Sequence, residues 1–309
     1  MMPWDKLASI YHKTLSSDQG APAIDARIVI GAFVVKHKMK FDDRETIEYI
    51  RENMYVQYFL GLSNYTTQDV FDRSLFTTLR YRLGADKFDQ MSARLISTAL
   101  GLPNDLSENE ASIDALQDDD EQPKAAVEFG AKLGVSEFNG YARINTLSWN
   151  AYHEGGDLKK QVEEYRKLYG YYPAVVITDK IYGTRENRNW LTQLGIRYSG
   201  KPLGRPSKQS QTPYQKRRAR KENGERNHVE GKFGQAKNGY NLNRIRARRA
   251  KTSESWIACI FFVMNLIKFN KDFFVSCWTS IFYSYQMLRI IFKLNQKPEP
   301  TYRCNIIAL

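Results

Sequence analysis

Three residues between Arg226 and Lys251 carry chemistry by their types and spacing. If RNHVEGKFGQAK is helical, Arg226 and Glu230 lie about 40° apart on the helix surface, and Glu230 and Lys237 roughly 20° apart on the other side. Arg226, Glu230 and Lys237 then share one face. A single buried-looking carboxylate between two cations suits a site that holds a divalent metal and a phosphodiester together: the acid takes the metal, the cations take phosphate. An ordinary helix with i,i+4 ion pairs would show the same spacing. Two further acids decide the matter by their positions. Asp179 ends YYPAVVITD, whose apolar run Ala174–Ile177 reads as a central strand buried on both faces. Asp114 lies in SIDAL, a candidate first strand. Carboxylates converging at strand ends can hold a pair of Mg²⁺ ions about 4 Å apart, with Mn²⁺ as a substitute. Mg²⁺ takes oxygen ligands, so a site without Cys or His is no objection.

The elements that must position these acids follow from period and punctuation. Ile28–Val35 reads as a buried helix. Asp42 or Asp43 caps the next, with Ile47, Ile50 and Tyr55 on one face and Gly61 as its end. Two further helices cover Ser74–Gly84 and Asp86–Leu100, so residues 1–104 read as an all-helical domain for DNA binding or dimerisation. Residues 101–123 are polar and acidic and mark a boundary. The period then changes. KAAVEFGAKLGVSEF and YARINTLSWNAY read as strands turning at Asn139–Gly140. DLKKQVEEYRKLYG is a helix between Asp157 and Gly170. Thr184–Leu194 is a short helix and IRYSG a short strand. The second domain, 105–270, is therefore α/β: a mixed five-stranded sheet flanked by helices is expected. Residues 201–221 read as a mobile basic loop, and the helix of Glu230 is expected to stop at Asn238–Gly239. SESWIACIFFVMNLIKF is a core helix, and 271–309 an irregular aromatic tail.

Charge and cysteine content bound the function. The net charge of +12 is concentrated: Lys201–Lys251 carries 16 Lys and Arg against Glu222, Glu225 and Glu230, so the remainder is close to neutral. Such a segment is the footprint of a polyanion, and double-stranded DNA is the expected partner. Arg217, Arg218, Arg220, Arg226, Lys232, Lys237, Arg244, Arg246 and Arg248 are the candidate DNA contacts. The three cysteines form no CxxC pair, which argues against a zinc site or a disulfide framework and fits a reducing, cytoplasmic, nucleoid-associated setting. The greasiest stretch, Trp256–Ile267, is too short to span a bilayer, and the N-terminus has no apolar run of signal-peptide type, so no membrane partner is expected.

VEFGAKLGVS, GYYPAVVITDKIYGTRENR and the run from Arg226 to Leu266 resemble bacterial insertion-sequence DDE transposases of the insertion-sequence-four/five-like superfamily. SSDQGAPAIDARIVIGAFVVKHK and FDRSLFTTLRYRLG are similar to that family's helical N-terminal domain. The resemblance implies an RNase H-like catalytic domain, Asp179 as second acid, Glu230 as third, and a homodimer on DNA. Arg226, Glu230 and Lys237 match the family's Tyr-x2-Arg-x3-Glu-x6-Lys motif, with Asn223 at the Tyr position. The first acid usually stands in Asp-Ala-Thr and is often followed by a long segment. Here Asp114-Ala115-Leu116 runs almost directly into the next strand, as in an internally shortened copy. Three functions are open on these residues: a transposase that cuts at its element's ends and joins them to target DNA, a catalytically inactive DNA-binding remnant, and a nuclease that cuts without joining.

Overall fold

The computed structural model describes residues 2–15, 23–102, 130–150, 152–200, 203 and 212–295. It divides into two compact units, Met2–Phe269 and a second from Asn270 onward. Asp114 and the SIDAL strand lie outside the described residues.

The first unit begins with five helices: α1 (Trp4–His12), α2 (Ala26–Met39), α3 (Asp43–Glu52), α4 (Met54–Leu60) and α5 (Leu75–Leu100). The expected buried helix is α2, buried almost all round from Val29 to His37. Asp42 starts α3 through a reciprocal capping box with Glu45. The single helix expected to run on through Tyr55 is broken. Asn53 takes an extended conformation (φ −117°, ψ 104°), and its side chain accepts from the N–H groups of Tyr55 and Val56, starting α4 anew. Tyr55 is consequently 78% exposed. Gly61 closes α4 in the left-handed region (φ 89°), as its position suggested. The two blocks expected either side of residue 85 run together as α5, with a non-helical kink at Gly84. Phe33 meets Phe76 and Phe88 edge-on at 5.3 and 5.5 Å, joining α2 to both halves of α5.

Strands β1 (Lys132–Phe138) and β2 (Tyr141–Ser148) pair antiparallel, with Phe138 opposite Tyr141. The turn falls at Asn139 (φ 52°) and Gly140 (φ 84°), the pair of positive φ values an Asn-Gly hairpin requires. Helix α6 (Leu158–Tyr169) follows. Strand β3 (Val175–Ile177), helix α7 (Arg185–Gln193) and strand β4 (Arg197–Ser199) form a parallel strand–helix–strand unit. The expected five-stranded sheet is not formed among the described residues: β1–β2 and β3–β4 are separate two-stranded sheets. Nor is β3 the fully buried central strand its composition suggested. All three of its residues are half-buried, since among the described residues it pairs on one edge only.

Helix α8 (Pro213–Tyr240) corrects two expectations. Residues 213–221 are its first turns, not loop. Thr212 and Gln215 make a second capping box, and Pro213 at the first helical position has its φ already set for a helix. The helix also passes through Asn238–Gly239 and stops at Asn241, which adopts the left-handed conformation. Helix α9 (Ala250–Asn295) is buried from Trp256 to Leu266. There the Asn265 amide exchanges both of its hydrogen bonds with the backbone of Ala142, fixing β2 against α9. One core joins α1, α2, α5, β2 and α9, and a smaller one of Leu158, Val162, Leu191 and Ile196 lies between α6 and α7. In the second unit, the tail expected to be irregular is helical to Asn295 and exposes Phe274, Val275 and Trp278. Among the described residues no helix is long and apolar enough to cross a membrane.

Candidate active site and nucleic-acid interface

Asp179 follows β3 by two residues and opens a 3-10 turn, Lys180–Tyr182. Its carboxylate accepts the Lys180 N–H at 2.7 Å and is 72% exposed. Helix α8 passes alongside: Arg226 Nη1 lies 4.0 Å from Asp179 Oδ1. Arg226 Nε is buried and has no hydrogen-bond partner. The rest of the guanidinium is partly exposed, and its planar donors suit an oxyanion. Glu230 comes one turn later, about 6 Å along the axis. It is exposed, not buried, because this length of α8 keeps its solvent-facing side free of other elements. With α8 unbroken from Pro213 to Tyr240, Arg226, Glu230 and Lys237 do share a face, and Lys237 is exposed on it.

A residue that sequence reasoning passed over holds α8 in register. Glu222 accepts hydrogen bonds from Arg197 and Ser199 on β4 and from Arg218 on its own helix. Partial burial opposes its ionisation, but these three donors win and bring its carboxyl down to about 2. The helix of Glu230 is thereby fastened to the strand pair that ends at Asp179. The available signal was Arg218–Glu222 at i,i+4, with an acid standing alone among cations. Between β3 and the start of α8 lies an open groove of about 650 Å³, lined by Val175, Ile177, Tyr214, Arg217 and Lys221.

The candidate DNA contacts divide into three groups. Arg217 and Arg220 are exposed on the first turns of α8, with Arg218 beside them but engaged by Glu222. Lys232 is turned inward and donates to the Gly140 carbonyl at 2.6 Å, so it braces the β1–β2 turn. After α8 the chain has no regular structure from Arg244 to Arg248; Ile245 and Ala247 pack against the core, and Arg244, Arg246 and Arg248 are exposed between them. Arg246 meets Asp42 at 2.9 Å.

Asp179 and Glu230 offer oxygen donors alone, the type that Mg²⁺ and Mn²⁺ accept, and solvent reaches both. In donor type, both carboxylates fit such an ion. No group of three His, Cys, Asp or Glu suited to a metal occurs among the described residues, and Asp114 lies outside them.

Comparison with known proteins adds the following. The family described as Transposase DDE domain matches residues 176–267, and the one described as Transposase domain (DUF772) matches residues 1–82. Together they account for more than half of the chain. A Rhizobium meliloti protein, "Uncharacterized protein ORF8 in nfe locus", is 30% identical over 81 residues, 26% of this chain and 39% of its own length. No solved structure matches the chain.

Proposed function

We propose, from the premise that this chain belongs to the insertion-sequence DDE transposases, that it binds the terminal repeats of its element, hydrolyses a phosphodiester there and joins the freed 3′-OH to target DNA. One observation carries the proposal: the strand-end acid Asp179 faces Arg226, one helical turn before Glu230. Asp179 and Glu230, with Asp114 as third acid, would hold two Mg²⁺ or Mn²⁺ ions. Such ions, when bound, lower the pKa of a water nucleophile and offset the charge that builds on the phosphorus. The chain's own cations do the rest. Arg226, whose side chain is partly exposed, offers its guanidinium to a phosphate oxygen beside Asp179, and Lys237 extends the same face. Arg217, Arg220, Arg244 and Arg248 grip the backbone without reading bases.

The family supports an RNase H-like domain over 105–270, for which a mixed five-stranded sheet is the expected arrangement. It also supports a helical domain over 1–104 that contacts DNA or a second copy in a homodimer on the paired ends. The test is metal-dependent nicking of DNA carrying the element's ends. The wild-type chain is expected to cut, and Asp114→Asn, Asp179→Asn and Glu230→Gln to lose on the order of 10³-fold or more while still binding DNA. Cutting that survives in Asp114→Asn alone would move the first acid elsewhere in 105–121. The second reading, a DNA-binding remnant without catalysis, is favoured by the sequence at the first acid, where Asp114-Ala115-Leu116 departs from the family's Asp-Ala-Thr. It would be established by a wild-type chain that binds the ends and never cuts them. Cutting without joining would identify a nuclease.

A further inference from the structure

We infer that Asn187 and Arg188 are positioning residues for Asp179, fixing the turn that presents its carboxylate to a divalent cation. The inference rests on the proposed reading of Asp179 as a metal-holding acid.

Because the Asp179 side chain is largely solvated, its aim is set by its backbone. That backbone is held from α7. Thr184 caps α7 by accepting the Asn187 N–H. The Asn187 side chain, 4% exposed, spends both amide hydrogens on loop carbonyls: Tyr182 O at 3.0 Å, in the turn opened by Asp179, and Gly155 O at 2.7 Å, in the turn before α6. Arg188 donates from Nε to Gly183 O at 3.0 Å, one residue further along. Its guanidinium lies 4.3 Å over the ring of Tyr198, and the Tyr198 hydroxyl lies 3.4 Å from Thr178 Oγ1, on the other side of Asp179. The packing is close: a Cβ on Gly183 would stand 2.6 Å from the Tyr198 hydroxyl.

Residues on both sides of Asp179 are thus tied to adjacent positions of one helix. Only a carboxamide supplies a neutral NH₂ with two donors, and Gln would carry it one methylene further than Asn187 does. An Asp there would face two carbonyls with acceptors, and a Leu would strand both. Groups that orient a metal-holding acid govern affinity for the ion, and their loss weakens it by about 10- to 100-fold.

The test is Mn²⁺ binding to the full chain, read from the loss of the free-ion electron paramagnetic resonance signal, in wild type, Asp179→Asn, Asn187→Ala and Arg188→Lys. Gln57→Ala serves as control. It removes another buried amide, one that serves three carbonyls in the α3–α4 region. Asp179→Asn should lose the site. Asn187→Ala and Arg188→Lys should each bind at least about 10-fold more weakly, while Gln57→Ala melts earlier and binds as wild type does. Arg188→Lys preserves the net charge, so weaker binding there comes from geometry; it also decides the matter if Asn187→Ala does not fold. Wild-type affinity in both α7 variants, beside a loss in Asp179→Asn, overturns this inference alone. Equal affinity in wild type and Asp179→Asn overturns the metal reading of Asp179 and this inference with it.

Discussion

Arg226 stands beside an acid it does not neutralise at close range. At 4.0 Å from Asp179 and with its side chain partly exposed, it is placed to bridge the carboxylate and a second anion, which a strand of DNA supplies. The planar fork matters here more than the charge. Arg226→Lys should therefore bind DNA within a few-fold of wild type yet cut about 10-fold more slowly or worse, because an ammonium is a point charge without the paired donors. Equal turnover in the two would show that charge alone is used. A different residue-scale consequence comes from His37, which burial, assisted by Lys36 and Arg80, holds down to about 3. It stays neutral in the fold, whereas in the unfolded chain it gains a proton below about 6.5. Stability should accordingly fall as pH drops from about 6.5 toward 3, by up to about 1.4 kcal/mol per pH unit from this residue. Urea unfolding of His37→Gln should show a shallower acid slope than wild type by close to one proton; parallel slopes would refute the assignment.

Among the elements, α8 depends least on burial and most on its ends and clamps. Over 28 residues it buries only Ala236 and Tyr240, so its first half rests on the Thr212 capping box and on ion pairs such as Arg218–Glu222. That is why residues 213–221 read as loop. Arg, Lys and Gln favour helix by propensity, but a stretch without an apolar stripe shows no period to a sequence reader. The β1–β2 hairpin was legible for the opposite reason, since Asn139–Gly140 states its turn type in two residues. The break at Asn53 was hidden because one residue both ended α3, through its extended backbone, and capped α4, through its side chain. Glu222 makes the clamp on α8 measurable. Its carboxyl lies below the ordinary range, so its contribution is complete above about 4.3 and is lost as pH falls toward 2. Glu222→Gln should remove part of the acid-unfolding limb between those values and reduce cutting at neutral pH, by loosening the helix of Glu230 against β4. An unchanged acid limb, followed by circular dichroism, would mean that the three hydrogen bonds do not bind α8 to the sheet.

At the scale of the whole molecule, the two kinds of information in the chain separate cleanly. The strand that ends before Asp179 and the helix that carries Glu230 were legible because a strand end and a helical spacing are local; the sheet topology was not, because strand pairing joins residues far apart in sequence. Charge was legible as a total, and its arrangement came from the fold. Arg244, Arg246 and Arg248 are exposed and alternate with Ile245 and Ala247, which pack against the core, so one short segment presents three cations outward. Such a row of cations suits successive phosphates of a DNA backbone. The Arg246–Asp42 pair is half-exposed and worth no more than about 1 kcal/mol, so a phosphate can displace it. If these three arginines contact phosphates, the plot of log K against log salt should flatten by 2 to 3 in the Arg244→Ala, Arg246→Ala, Arg248→Ala triple variant, since each contact contributes about 0.9. The measurement is fluorescence anisotropy of a labelled duplex between 50 and 300 mM salt, roughly the range over which counterion release dominates. Random and end-containing sequences should lose affinity alike, because the stripe touches no base. An unchanged slope would move the DNA path off this segment and leave Arg217 and Arg220, on the first turns of α8, as the place to continue.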